Sequence, residues 1–417
     1  MAERVPGKIG DFRALLNWRQ IPGSVVTLGF VSLLMDASSE MIHTILPLYL
    51  VAAFGASTLV VGLIEGTADA TSSIVKIFSG VLSDRAGKRK RLAAAGYGLA
   101  ALAKPMFPLA SSVGWILLAR FIDRVGKGIR GSPRDALIAD LTPYQIRGAA
   151  FGLRQSLDTV GAVLGPLLAI LLMELTGGHF TIVFWIAVVP AVLSFALIAG
   201  KVKEPSVAAN RDGKFPLSLA AFRRLPRAYW AVAAIGALLG LARFSEAFLV
   251  LRAKSVGLSD SLAPLVMLVM SIVFAIAAWP AGALSDRFGR YRILAAGVAV
   301  FIIANLLLGF VPNVAATLIG GGLWGLQMGL TQGLMASLVA DTAPSTLRGT
   351  GFGIFSFLSG LTTFAASLTA GALWAVFGPT ATFVMGASLA LLTLFAMVIL
   401  RPWCRFIPDL SEENPSP

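Results

Sequence analysis

The chain has one cysteine, Cys404, and two histidines among 417 residues. A single thiol builds neither a disulfide framework nor a thiolate metal cluster, and two imidazoles argue against a zinc site. Charge is scarce as well. Only 13% of the residues are Asp, Glu, Lys or Arg, where a soluble domain carries about a quarter, so a soluble enzyme and a nucleic-acid binder are both excluded as leading readings. The sequence has no His-Glu-x-x-His pair, no Gly-x-Ser-x-Gly elbow and no phosphate loop. Their absence argues against an intramembrane enzyme, and the lack of a soluble output domain argues against a sensor. Nothing calls for a cofactor.

What remains is apolar. Hydrophobic residues make up 57% of the chain and the mean hydropathy is +0.82, which is the composition of a membrane protein. A helix needs about 20 apolar residues to cross roughly 30 Å of hydrocarbon. Twelve runs meet this, at 24–50, 58–82, 91–110, 113–135, 149–174, 180–200, 228–252, 261–284, 292–311, 314–338, 350–375 and 379–401; they are numbered spans 1 to 12. Residues 1–22 are polar, with Arg4, Lys8, Arg13 and Arg19 and no small-residue cleavage pattern, so span 1 is read as retained.

The net charge of +13 follows from topology. Lys and Arg collect in alternate loops, which by the positive-inside rule places both termini in the cytoplasm and the protein in a cell inner membrane. Arg252 and Lys254 are the clear outside exceptions, with Lys104 near another outer end. The layout expected is a cytoplasmic segment 1–22, a six-helix bundle 23–200, a cytoplasmic linker 201–227, a second bundle 228–401 and a cytoplasmic tail 402–417. The linker holds Lys201, Lys203, Arg211, Lys214, Arg223, Arg224 and Arg227 with three prolines.

The halves repeat. Gly80-Val-Leu-Ser-Asp84-Arg85-Ala-Gly87-Lys88-Arg89 recurs as Gly282-Ala-Leu-Ser-Asp286-Arg287-Phe-Gly289-Arg290-Tyr291, at an offset of 202. Ala139-Asp140-Leu-Thr-Pro143 with Arg147-Gly148 and Gly152 recurs as Ala340-Asp341-Thr-Ala-Pro344 with Arg348-Gly349 and Gly353, at 201. Two similar halves are the mark of a transporter built from repeats. Aspartates at helix ends can cap neighbours while glycines permit tight turns, a plausible reversible latch on the inner side.

Charges inside the spans are costly unless they face a cavity or a partner. On span 1, Asp36, Glu40 and His43 share one helical face; on span 2, Glu65, Asp69 and Lys76 do. Span 4 carries Arg120, Arg124, Lys127 and Arg134 at helical spacing, with Asp123 and Arg130 beside them, and span 5 adds Arg154 and Asp158. The second half has only Arg243 and Glu246, one turn apart in span 7. At about 1.5 Å per residue, Asp36, Asp69 and Arg124 fall near mid-membrane. Pairs such as Asp36 with Arg124 or Glu40 with Arg120 are expected. Asp36, then Glu40 and Asp69, are the proton-carrying candidates, opposed by Arg120 and Arg124. Glu65, Asp123, Asp158, Arg243 and Glu246 are candidates for the substrate cavity. His43 is read as a structural hydrogen bonder, and Phe244, Phe248, Trp324, Met328 and Phe355 as packing aromatics and apolar residues that could also wall a pocket.

These loops resemble the major facilitator superfamily, whose loop signature Gly-x-Leu-x-Asp-Arg-x-Gly-Arg/Lys occurs twice. The resemblance implies an all-α membrane protein of two pseudo-symmetric six-helix bundles around a cavity, working by alternating access. It assigns Gly80, Asp84, Arg85 and Gly87, with Asp286 and Arg287 as the second copy, to an inner gate. Gly152, Gly161, Gly165 and Pro166 in span 5 look like the signature of the drug:proton antiporters, although Ala169-Ile170 stands where paired glycines continue it. The family's coupling arginine of span 4 matches either Arg120 or Arg124. The function implied is proton-coupled antiport exporting a small molecule or drug, with substrate, protons and the lipid bilayer as partners and a monomer sufficient. The alternative is a carrier for an anionic metabolite or siderophore-like compound on the basic face of span 4.

Overall fold

The computed structural model describes residues 21–86, 88–143, 146–203, 224–344 and 347–404. Gly87 lies outside the described residues, as do the side chains of Asp84, Arg85 and Asp286 and most of the segments read as N-terminal, linker and C-terminal tail.

The described residues form helices at every one of the twelve runs. The first half has Gly23–Phe54, Thr58–Ala86, Arg89–Ala103, Val113–Leu141, Arg147–Leu175 and Phe180–Lys201. The second has Arg227–Ala242 with Ala247–Ser255, then Leu265–Phe288, Arg290–Phe310, Val314–Thr342, Arg348–Phe377 and Pro379–Cys404. The result is two pseudo-symmetric six-helix bundles, all helical. Eight helices are long and apolar enough on composition alone to cross a membrane. Spans 2 and 4 are not among them because their charged residues interrupt the apolar run, and those residues turn inward. Large apolar side chains such as Leu171, Ile276, Val376 and Phe395 are exposed on the outer surface, as a lipid-facing wall requires.

Local signals set the helix ends. Ser112 caps span 4 by accepting from the Trp115 N–H at 3.3 Å, and Asn313 caps span 10 by accepting from Ala316 at 2.7 Å. The two caps occupy matching positions of the halves, at the same offset as Asp140 and Asp341. Span 1 stops at Gly55, whose φ of 60° is a left-handed cap.

Small residues set the packing, since lipid gives helices no hydrophobic reason to associate. A Cβ on Gly96 would lie 2.8 Å from the Gly126 carbonyl oxygen, and one on Gly126 would lie 2.7 Å from the Gly96 oxygen, so spans 3 and 4 touch backbone to backbone. Gly297 repeats Gly96 in the second half and faces Thr331 of span 10; Gly329 repeats Gly128, the two facing spans 8 and 2.

The halves meet most closely between spans 2 and 11. Thr58 Oγ1 donates to the Gly371 carbonyl at 3.1 Å, and Gly66 approaches Phe364 and Gly360 approaches Ser73 in the same seam. Span 1 is also covered by the outer helix of span 7, Ala247–Ser255. The contact therefore closes one end of the molecule. At the other end, which carries the loops with the repeated signatures, the halves part around a central cavity.

Span 7 departs from expectation. Its first helix stops at Ala242 and the second starts at Ala247, so Arg243 and Glu246 flank a break instead of sharing a continuous turn. Ser245 Oγ accepts from the Ala247 N–H at 3.2 Å, and the Ser245 N–H donates to Ser367 Oγ at 3.1 Å. Polar partners thus satisfy the backbone freed by the break, as hydrocarbon depth demands.

Candidate functional site

The charged residues of the first half sort into three groups from the closed end to the open one. Nearest the closed end, Arg120 donates to Glu65 Oε2 at 2.6 Å, both side chains being 1% exposed. His43 Nε2 lies 3.2 Å from the same oxygen and His43 Nδ1 lies 3.5 Å from Glu40 Oε2. Glu40, His43, Glu65 and Arg120 therefore form one chain joining spans 1, 2 and 4, while Glu65 Oε1 and Arg120 Nε are buried without a partner. The expected Glu40–Arg120 pair is corrected: Arg120 reaches across to span 2, and His43 stands between the two glutamates.

In the middle, Lys104 Nζ lies 2.8 Å from Asp123 Oδ1 and donates to Ser39 Oγ at 3.0 Å. Lys104 is 1% exposed, so its charge is buried in the bundle, whereas the loop count placed it among the basic residues on the outside. Its position on the short 3-10 turn Lys104–Met106 turns the ammonium back into the bundle. Arg124 is buried, with its Nε 3.8 Å from Asp123 Oδ2. Asp123 therefore belongs to a packed ion cluster and not to the cavity.

The third group lines the cavity. Asp36 Oδ1 is 3.4 Å from Arg130, not paired with Arg124 as expected. Arg130 is about one and two-thirds turns further along span 4 than Arg124 and faces span 1, and its guanidinium also stacks over Tyr97 at 4.8 Å. Asp158 is held by Arg154 on its own helix and lies 4.0 Å from Arg134, which also donates to Ser32 at 3.0 Å. Lys76 and Lys127 line the same space, are exposed to it, and have no acidic partner within 4 Å among the described residues. This lobe is about 460 Å³ and presents five basic side chains against the two carboxylates Asp36 and Asp158.

Adjoining lobes continue it. One of about 450 Å³ shares Gln155, Phe274 and Gln332 with the basic lobe and runs to Ser285, Arg290 and Ser337 at the open end. Another, of about 280 Å³, shares Ser72 and Ser73 and reaches Asp69, Arg243 and Glu246 beside the break in span 7. Arg243 is 3.8 Å from Glu246 Oε1, and with the Gln332 amide turned to place its oxygen inward, both terminal guanidinium nitrogens donate to it at 3.0 and 3.1 Å. Met328 and Phe355 do wall parts of the cavity. Phe248 and Trp324 pack instead in a buried cluster with Phe244, Phe301 and Phe383.

The span-5 glycines sit against the charged face of span 1. A Cβ at Gly161 would lie 2.6 Å from the Leu33 carbonyl oxygen and 3.2 Å from Asp36 Cβ, and one at Gly165 would lie 3.0 Å from the Ala37 oxygen and crowd Glu40. Gly152 has open space around it, and Pro166 lies inside the span-5 helix. At the open end, Gly80 sits beside Ser132 of span 4, and Arg287 is exposed with its guanidinium 5.5 Å from the Phe288 ring centre. There Arg89 also pairs with Asp140 at 2.9 Å, and Arg290 pairs with Asp341. The two clips are copies of each other, one per half, each tying the start of an odd span to the end of the next.

A polar, water-accessible cavity between two related helical bundles, closed at one end and open at the other, is the architecture of a secondary carrier. The comparisons with known proteins agree. The Major Facilitator Superfamily model matches residues 28–252 and again 244–415, and the chain belongs to that family. An uncharacterised MFS-type transporter of Methanocaldococcus jannaschii is 32% identical over 90% of this chain and 94% of its own length. Among solved structures, the nucleoside transporter NupG superposes with a TM-score of 0.75 at 13% identity, covering 91% of this chain and 99% of that one. A bacterial homologue of the human lysosomal transporter Spinster, inward-facing and unoccupied, gives 0.67 at 16% identity over 96% and 97%. At these identities the structural likeness speaks for the fold.

Proposed function

We propose that this protein is a proton-coupled carrier of a small organic anion, working by alternating access in a cell inner membrane and seen open toward the cytoplasm. One observation carries the substrate class: in one cavity lobe Lys76 and Lys127 have no carboxylate within 4 Å among the described residues, whereas Arg130, Arg134 and Arg154 beside them are met by Asp36, Asp135 and Asp158. Charges within membrane spans face water-filled cavities or partners, and an anion entering this one meets two ammonium groups with no carboxylate within 4 Å among the described residues to compete for them. A lipophilic cation would meet the wrong sign.

Coupling follows from adjacency. Arg130 is the only cation within 4 Å of Asp36 among the described residues. A substrate anion drawing on Arg130 leaves Asp36 to take a proton, so anion and proton favour each other's binding and travel together. Glu40, His43 and Glu65 extend protonatable groups from there toward the closed end, where Arg120 holds Glu65. Transport leaves the substrate chemically unchanged, and one chain holding both bundles is sufficient.

The second reading, proton antiport exporting a small molecule or drug, is supported by Gly161 and Gly165, which seat span 5 against Asp36 and Glu40 in the manner of the antiporter signature. Counterflow in proteoliposomes separates the two. Labelled organic anions should accumulate and Lys127→Gln should slow them at least tenfold; accumulation of lipophilic cations alone, unaffected by Lys127→Gln, supports the antiport reading.

A further inference from the structure

The unpaired charges in the cavity are not all of one sign. Beside Lys76 and Lys127, the lobe next to the span-7 break holds Asp69, which has no basic partner within 4 Å among the described residues, while its neighbour Glu246 faces Arg243. Asp69, Ser72, Ser73 and Lys76 stand at i, i+3, i+4 and i+7 of span 2, hence on one helical face. Both serines line the basic lobe and the acidic lobe alike, so one continuous strip of span 2 runs from a free carboxylate, past two hydroxyls, to a free ammonium. Seven residues rise about 10 Å, too far for Asp69 and Lys76 to pair directly, since helical ion pairs need a spacing of three or four. The Lys76 stem runs beside span 4, its Cε 3.5 Å from where a Cβ on Gly131 would lie, which carries the ammonium toward the side of the cavity that Lys127 lines.

From this we infer that the carrier's substrate is a zwitterion: an acid group bound between Lys76 and Lys127, and an ammonium group bound at Asp69, with Ser72 and Ser73 hydrogen-bonding the segment between. This rests on the anionic-carrier reading and narrows it. A strip with a carboxylate at one end and ammonium groups at the other fits an ω-amino acid, whose two charges are separated, better than a bare carboxylate, which satisfies one end and leaves Asp69 unpaired, or a bare amine, which does the reverse. Arg243 and Glu246 remain available to each other and set the outer limit of the ammonium subsite, because a longer substrate brings its cation against the guanidinium.

The test uses purified full-length protein and four probes at equal concentration: γ-aminobutyrate, ε-aminohexanoate, butyrate and butylammonium. Ligands that bind the native state raise its melting temperature by mass action, and a concentration series gives apparent Kd values. At least one of the two amino acids should bind at least tenfold tighter than butyrate and than butylammonium. In Asp69→Asn the ratio of amino-acid to butyrate affinity should fall to about one, and Asp69→Glu should restore part of it. Because the readout is a ratio within one preparation with its own melting transition, a loss of folding does not mimic the result. Equal binding of butyrate and the amino acids in the wild type overturns the zwitterion and leaves the anion carrier standing. So does an equal loss of both ligands in Asp69→Asn. Protection by butylammonium alone, or by none of the four, overturns both.

Discussion

The pair Arg120–Glu65 should behave as a buried ion pair whose halves are each costly to remove and cheap to remove together. Both side chains are 1% exposed at an N–O distance of 2.6 Å, and Arg120 Nε already lacks a partner. In Glu65→Met the guanidinium keeps no carboxylate at bonding distance. Uncompensated buried charge costs about 3–5 kcal/mol, which in a bundle of this size lowers the melting temperature by on the order of 10 °C. Arg120→Met should cost a similar amount, because Glu65 then keeps only His43 at 3.2 Å. The double variant, which removes both ions and fills the space with apolar atoms, should recover most of the loss, giving a coupling of several kcal/mol between the positions. The assay is the temperature at which the monodisperse size-exclusion peak disappears in detergent. A Glu65→Met protein melting within about 2 °C of wild type, or a double variant that loses the sum of the single effects, would refute the burial argument.

Two more outcomes follow from the packing. Gly165→Val should be inactive and destabilised by about 1–3 kcal/mol, since its side chain must displace span 1 at Ala37 and Glu40, whereas Gly152→Ala, with open space around it, should transport normally; equal behaviour of the two in an uptake assay would contradict the close approach. In a Cys404→Ser background, cysteines at Thr58 and Gly371 should cross-link the closed end, where Thr58 already bonds the Gly371 carbonyl. Uptake should stop on cross-linking and return on reduction, and continued transport by the cross-linked protein would show that this seam need not open.

Much of the fold was legible because the forces that make it are written in long stretches. Twelve apolar runs gave twelve spans, and the loop signatures that occur once in each half gave two bundles. The clips Arg89–Asp140 and Arg290–Asp341 fall within those repeated motifs. Gly96 with Gly297 and Gly128 with Gly329 repeat just as faithfully, yet lone glycines in an apolar chain carry no signal until the helix they touch is known. The charged faces of spans 1, 2 and 4 were legible by helical period, but their partners were not. A long arginine reaches a turn in either direction, so Asp36 could be matched to span 4 without the choice of Arg130 over Arg124. The burial of Lys104 was not legible, because the 3-10 turn Lys104–Met106 that follows the helix end at Ala103 points its ammonium back into the bundle. The break in span 7 did have a signal, the three polar residues Arg243, Ser245 and Glu246 within four positions of an otherwise apolar run. Read as a helical pair, it hid the serine that ends one helix and starts the next.

Anion–proton cotransport is read most directly as proton movement in everted membrane vesicles with an imposed pH gradient, on adding organic anions or lipophilic cations in turn, for wild type, Asp36→Asn and Lys127→Gln. Anion–proton cotransport through this cavity requires proton flux in the same direction as an added organic anion, lost in both variants, and no response to cations. Proton release driven by lipophilic cations, with no response to any anion, would contradict it.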